Sequence, residues 1–145
     1  MIMKGKDPVG RFSVEFTLSN YADVLQAELG QLSPEKVRSV RLNGVVDTGA
    51  TRLVLPAKIS QDLGLQKRGE TSVRYADNRR EKRLLVRNAL VEMLGREGNF
   101  SAILEPDRKD ALIGAIVLEE LDLIVDCSGQ KLVPRDPNEI ISEIE

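Results

Sequence analysis

Histidine is absent from this 145-residue sequence, cysteine occurs once, and aromatic residues make up only 3% of it. Without histidine there is no Ser-His-Asp or Cys-His machinery and no imidazole zinc site. A single cysteine also excludes a Cys-rich zinc site and any intrachain disulfide. Cys127 is read as a small packing residue, and nothing in the cysteine usage points to an oxidising compartment. The scarcity of aromatics removes the stacking platforms of single-strand nucleic-acid binders. A net charge of −2, from 21 basic and 23 acidic residues, argues against a general nucleic-acid partner. No run approaches the roughly 20 apolar residues of a membrane span, and Met1–Pro8 carries no apolar stretch of the signal-peptide kind. The expectation is a cytoplasmic protein with no membrane and no nucleic-acid partner, whose chemistry rests on carboxylates, lysine, hydroxyls or the lone thiol.

What is present begins with a hydrophobic content of 41%, ordinary for a globular chain of one domain. That domain is expected over residues 11–135, between a flexible tail at 1–10 and a C-terminal tail at 136–145. Residues 11–18 alternate strictly, with Phe12, Val14, Phe16 and Leu18 on one face, the period of a half-buried strand. Tyr21–Leu29 is mixed, briefly helical at most, and closed by Gly30. Val37–Val46 returns to β-favouring residues, with Asn43-Gly44 inside it as a two-residue hairpin signal. Pro56–Leu65 reads as a short helix with proline first and Gly64 as its stop. Strands are expected at 71–75, 84–86, 89–94 and 100–104, with turns at Asp77–Arg80 and Gly95–Gly98. A helix at Ala115–Leu121 and a final hairpin around Ser128-Gly129 follow. In the tail, the spacing of Ile140, Ile141 and Ile144 predicts a short docked helix. Many short strands at close spacing favour an all-β barrel or sandwich.

Two segments carry chemistry: Val45-Val46-Asp47-Thr48-Gly49-Ala50-Thr51 and Ala111-Leu112-Ile113-Gly114. Asp-Thr-Gly alone is weak, because such a tripeptide is common in turns at strand ends. The combination of an apolar strand running into Asp-Thr-Gly-Ala with a distant apolar-apolar-Gly segment resembles the retropepsin-like aspartic proteases, over about Val37 to Pro134. The resemblance implies a closed all-β acid-protease barrel with one or two short helices, active as a homodimer. It implies hydrolysis of a peptide or protein substrate by water held between two Asp47 carboxylates, one from each chain, with no cofactor and no metal. Asp47 is then the catalytic residue, supported by Thr48, which locks the two loops together, and by Gly49. Gly49 and Ala50 line the substrate cleft, the hairpin Tyr75, Ala76, Asp77 and Asn78 closes over it, and Leu112, Ile113 and Gly114 brace the catalytic loop.

The dimer follows from counting. One chain holds one Asp-Thr-Gly, and Asp126-Cys127-Ser128-Gly129 has the wrong spacing for a second copy. A twofold axis supplies the missing carboxylate, and such pairing is the commonest oligomer. Two departures from the retroviral pattern stand out. Asn78 occupies the flap tip, and Ala115 follows Gly114 where retroviral enzymes carry an arginine that pairs with an acid near the catalytic loop. Here Thr51 and Arg52 replace such acids.

Other readings compete. A non-catalytic module that keeps the fold for dimerisation or peptide binding is the alternative to the peptidase. The basic run from Arg79 to Arg83 is a solvated hairpin tip or a bias toward acidic peptides, and Glu119, Glu120, Asp122 and Asp126 lack the spacing of a calcium loop.

Overall fold

The structure, a computed structural model, describes residues 11–145. The tail expected at 1–10 lies outside the described residues. In chain order the elements are β1 (Arg11–Asn20), α1 (Tyr21–Glu28), a 3-10 turn (Pro34–Lys36), β2 (Ser39–Asp47), β3 (Leu53–Pro56), α2 (Ala57–Leu63) and β4 (Lys67–Arg74). They continue with β5 (Arg80–Met93), β6 (Arg96–Glu105), β7 (Ala111–Ile113), α3 (Ala115–Leu121), β8 (Leu123–Asp126) and β9 (Lys131–Pro134).

Six of these strands close a barrel in the order β1-β2-β7-β3-β6-β5, with β5 returning to pair with β1 and β4 attached to β5 outside the ring. Closure leaves no open edge among the six, the one arrangement that removes unpaired strand edges altogether. The alternating face of β1 points inward as its period requires, burying Phe12, Phe16 and Leu18, with Val14 partly buried against the same core. Leu55, Val91, Ile113 and Val117 meet them at 0% exposure. Each such side chain taken wholly out of water contributes roughly 2 kcal/mol before the ordering cost.

Several sequence expectations are corrected. Asn43-Gly44 is no hairpin: it lies in the middle of β2, which pairs continuously with β1 from Arg11↔Asp47 to Ser19↔Ser39. Gly44 is required for a different reason, since a Cβ there would sit 2.8 Å from Ile113 Cγ1 and 2.9 Å from Phe16 Cε1. The strands expected at 84–86 and 89–94 are one strand, β5, whose register with β6 shifts between Val86 and Ala89. Asn88, at φ 66°, takes the left-handed conformation that such a bulge demands and that asparagine tolerates. Three α-helices form among the described residues, where one or two were expected. The third is α1, whose weakly patterned sequence is secured by Asn20, which caps it by accepting from the Asp23 amide at 3.1 Å. The strand β3 was not foreseen, because Pro56 drew attention to the helix after it.

The helix expected in the C-terminal tail is absent. Residues 135–138 bend and 139–145 carry no regular structure. Arginines hold the carbonyls that a helix would need: Arg96 donates to Asp136 and Glu139, and Arg135 donates to Ile141 at 3.0 Å. The Ile141 amide donates in turn to Asp122 Oδ2 at 3.1 Å. No helix among the described residues is long and apolar enough to cross a membrane.

One polar knot joins β1, α1, the residue leading into β2, and α2. Asp23, 6% exposed, accepts from Arg38 Nε at 2.8 Å, from Arg38 Nη2 at 3.0 Å and from the Arg38 amide at 3.0 Å. Asn20 donates to the Leu63 carbonyl at 2.9 Å. The hydrogen bonds from Arg38 hold the Asp23 carboxyl below the ordinary carboxylate range, against the opposing effect of burial. A depressed folded-state pKa contributes stability that is present above the unfolded value of about 4 and is lost as pH falls through the folded value. Asp23→Asn is expected to lower the denaturation midpoint at neutral pH and to flatten the loss of stability on acidification. Urea melts across the acid range check this, and an unchanged acid slope in the variant would show that the knot does not titrate.

Candidate active site

The buried end of β2 sets the site. Val46 is fully buried and Asp47 follows it out of the core, its side chain 27% exposed. The chain then turns: the Ala50 amide donates to the Asp47 carbonyl at 3.1 Å and the Gly49 amide donates to Asp47 Oδ1 at 3.0 Å. A Cβ at Gly49 would lie 3.3 Å from that same oxygen, so glycine keeps the approach to the carboxylate open. Thr48 is exposed at the loop tip, and among the described residues no group of its own chain takes its hydroxyl.

The brace comes from the other end of the sequence. β7 lies between β2 and β3, parallel to β2 with Val45↔Leu112 and Val46↔Ile113, and pairs antiparallel with β3 at Val54↔Leu112. The chain then crosses the loop at Gly114, where a Cβ would fall against the backbone of Thr51 and Arg52, 2.8 Å from Arg52 N. Immediately beyond, the Ala115 amide donates to the Ala50 carbonyl and the Ile116 amide to the Thr51 carbonyl, each at 2.9 Å. These amides open α3 and have no partners within the helix, so the loop satisfies them.

A cleft of about 870 Å³ opens beside Asp47. Gly49 and Ala50 line it, as do Leu112 of the brace and Tyr75 and Ala76 of the β4–β5 hairpin. Asp77 and Asn78 instead stand exposed at the hairpin tip, outside the lining. There Asn78 takes φ 71° and its amide donates to the Tyr75 carbonyl at 2.8 Å, forming the turn. Ile113 and Gly114 sit behind the loop and do not line the cleft.

Sequence reasoning missed part of the lining: Val54 and Ile103 on its apolar wall, and Arg52, Arg74, Arg108 and Glu105 among its charges. It also missed Arg11, the cross-strand neighbour of Asp47, whose Nε lies 3.7 Å from Asp47 Oδ2. The β1–β2 register alone brings those two together, and no local pattern encodes it.

The hairpin is fastened to the barrel by its own tyrosine. Tyr75 donates its hydroxyl to Glu105 Oε2 at 2.5 Å, while Arg83 Nε donates to Glu105 Oε1 at 3.2 Å and the Arg79 guanidinium stacks 4.3 Å from the Tyr75 ring. Burial first, and then the Glu105 carboxylate, push the Tyr75 hydroxyl above its ordinary value, so it stays a neutral donor.

A closed small barrel that presents an Asp-Thr-Gly loop at the rim of a hairpin-covered cleft is an acid-protease fold. The sequence matches the aspartyl protease family over residues 33–117, more than half of the chain, and the chain belongs to that family. The EIAV protease complexed with the inhibitor HBY-793 is similar in structure, with 22% identity and a TM-score of 0.48, over 64% of this chain and 82% of that one. No curated protein matches the chain. The retropepsin-like resemblance and the closed all-β barrel read from the sequence both stand.

Two outcomes are expected of the brace and the latch. Gly114→Ala places a methyl group on the Arg52 backbone and should cost about 2 kcal/mol of stability, as overpacking does; a thermal midpoint equal to wild type would show that the crossing has slack. Tyr75→Phe removes the bond to Glu105 and should speed amide exchange through residues 74–80 while leaving exchange in β1 and β2 unaltered. Equal protection of the hairpin in both proteins would mean that the latch does not hold it.

Proposed function

We propose that this protein is an aspartic endopeptidase that works as a homodimer, with Asp47 of each copy forming one catalytic pair. The observation that carries the reading is the loop itself: a carboxylate at the mouth of a cleft, backed by a glycine that leaves it accessible, on a segment braced from behind by Gly114. Peptide hydrolysis without a metal or a covalent intermediate needs a base to take a proton from water and an acid to protonate the carbonyl oxygen. Two carboxylates about 3 Å apart repel by roughly 5 kcal/mol at an effective dielectric near 20, so the pair retains one proton. The ionised Asp47 takes the proton of the water as its oxygen attacks the scissile carbon, and the protonated partner gives its proton to the carbonyl oxygen. Collapse of the tetrahedral species returns a proton to the leaving nitrogen and breaks the C–N bond.

The Thr48 hydroxyl, exposed and unengaged among the described residues, supports the dimer, since the resemblance gives this threonine a hydrogen bond across to the partner's loop. The lone exposed Cys127 is compatible with the reducing cytoplasm, the setting we propose for the enzyme. The competing reading is a peptide-binding or dimerisation module on the same fold, and it separates cleanly. Wild type should cleave unfolded-protein substrates between mildly acidic and neutral pH, sediment as a dimer, and lose turnover by about a thousandfold or more on Asp47→Asn. Cleavage that survives the substitution, or a wild-type dimer that binds peptides and never cuts them, would retire the peptidase.

A further inference from the structure

The cleft carries more basic than acidic groups. Its lining includes Arg52, Arg74 and Arg108 against Asp47 and Glu105. Both carboxylates are already engaged: Glu105 accepts from Tyr75 and Arg83, and Asp47 faces Arg11. Among the described residues, the three cleft arginines make no ion pair. Arg108 Nε donates to the Asp110 carbonyl at 2.9 Å, which fixes its stem and leaves the outer nitrogens of the fork uncommitted. Arg52 also borders a smaller cavity of about 260 Å³ that includes Glu120, without pairing to it.

The basic run of the flap plays a lesser part than its sequence implies. Arg79 is paired with Glu81 at 3.3 Å and Arg83 with Glu105 at 3.2 Å. Arg80 and Lys82 do not line the cleft. The unneutralised positive charge therefore belongs to Arg74 at the end of β4, to Arg52 just after the catalytic loop, and to Arg108 in the β6–β7 connection.

Resting on the peptidase reading, we propose that the substrate is an extended peptide segment bearing Asp or Glu side chains on both sides of an apolar scissile position. The cleft-lining side chains of Val54, Ile103 and Leu112 supply the apolar seat, and the arginines receive the flanking carboxylates. Guanidinium suits this because its planar fork meets a carboxylate with two parallel hydrogen bonds and keeps its charge at any working pH. Twofold symmetry repeats the same three arginines on the far side of the scissile bond, so the preference for acidic residues is expected on both sides and not on one.

The test is a cleavage assay on matched peptide libraries in which the residues flanking an apolar pair are acidic, neutral or basic, read by mass spectrometry. Wild type should favour the acidic library over the neutral one by about tenfold or more in kcat/KM. Raising the salt concentration should erode that ratio, as expected for exposed charges. Arg52→Glu with Arg108→Glu should turn the preference toward the basic library; if the double variant does not fold, the salt dependence of wild type still decides. Equal cleavage of acidic and neutral libraries by wild type, with Asp47→Asn inactive, overturns the proposal and leaves the peptidase standing. If wild type cuts nothing, the peptidase reading falls, and binding of a fluorescein-labelled acidic peptide to the Asp47→Asn chain settles the charge preference separately. Salt-sensitive binding in excess of the neutral peptide sustains it, and equal binding of the two ends it.

Discussion

Two backbone hydrogen bonds, from the amides of Ala115 and Ile116 to the carbonyls of Ala50 and Thr51, hold the site to the fold. The loop between β2 and β3 carries few groups that could anchor it: Asp47 and Thr48 face outward, and Gly49 and Ala50 have little side chain to pack. Its position is set from behind, by a strand that must lie between β2 and β3 and by a crossing so close that only glycine fits. The burden falls on main-chain bonds, which need only the amide hydrogens of residues 115 and 116 and no particular side chain there. Arg52, which follows this loop and makes no ion pair among the described residues, lines the cleft.

The barrel and the hairpin over it are built to different stiffness. The six-stranded ring is closed and packed on fully buried side chains such as Leu18, Leu55 and Ile113. The β4–β5 hairpin extends beyond it on a single neighbour, and the polar cluster of Tyr75, Glu105 and Arg83 is what joins its tip to the cleft wall. A hydrogen bond from a neutral phenol to a carboxylate is strong enough to bias a closed position and weak enough to exchange for a substrate. Arg79 stacks on the same ring, 4.3 Å from its centroid.

What was legible in the sequence is what local physics encodes. Strict alternation marked β1, proline and glycine bracketed α2, and the coincidence of Asp47-Thr48-Gly49 with Leu112-Ile113-Gly114 marked the site. What escaped depended on the partner across space. Asn43-Gly44 has the composition of a turn, yet Gly44 answers to the bulk of Ile113 and Phe16, which no window along the chain contains. The tail isoleucines have helical spacing, but Arg96, at the start of β6, and Arg135, just past β9, take the carbonyls. Likewise Arg52, Arg74 and Arg108 are scattered in sequence and become a set only when the barrel gathers them.

The incompleteness of one copy is the final constraint. A single carboxylate can accept a proton from water or deliver one to a carbonyl oxygen, but hydrolysis asks for both in the same step. One chain holds a single Asp-Thr-Gly carboxylate, Asp47, at a rim where its loop tip is exposed and its threonine is unengaged among the described residues. In the dimer proposed above, a second copy of that rim completes the acid–base pair. The same twofold operation would double every other feature of the lining, so in the proposed dimer catalysis and substrate charge preference follow from one symmetry axis. A mutation that weakened the pairing of the copies would therefore act on turnover and selectivity together, whereas one in the arginines would act on selectivity first.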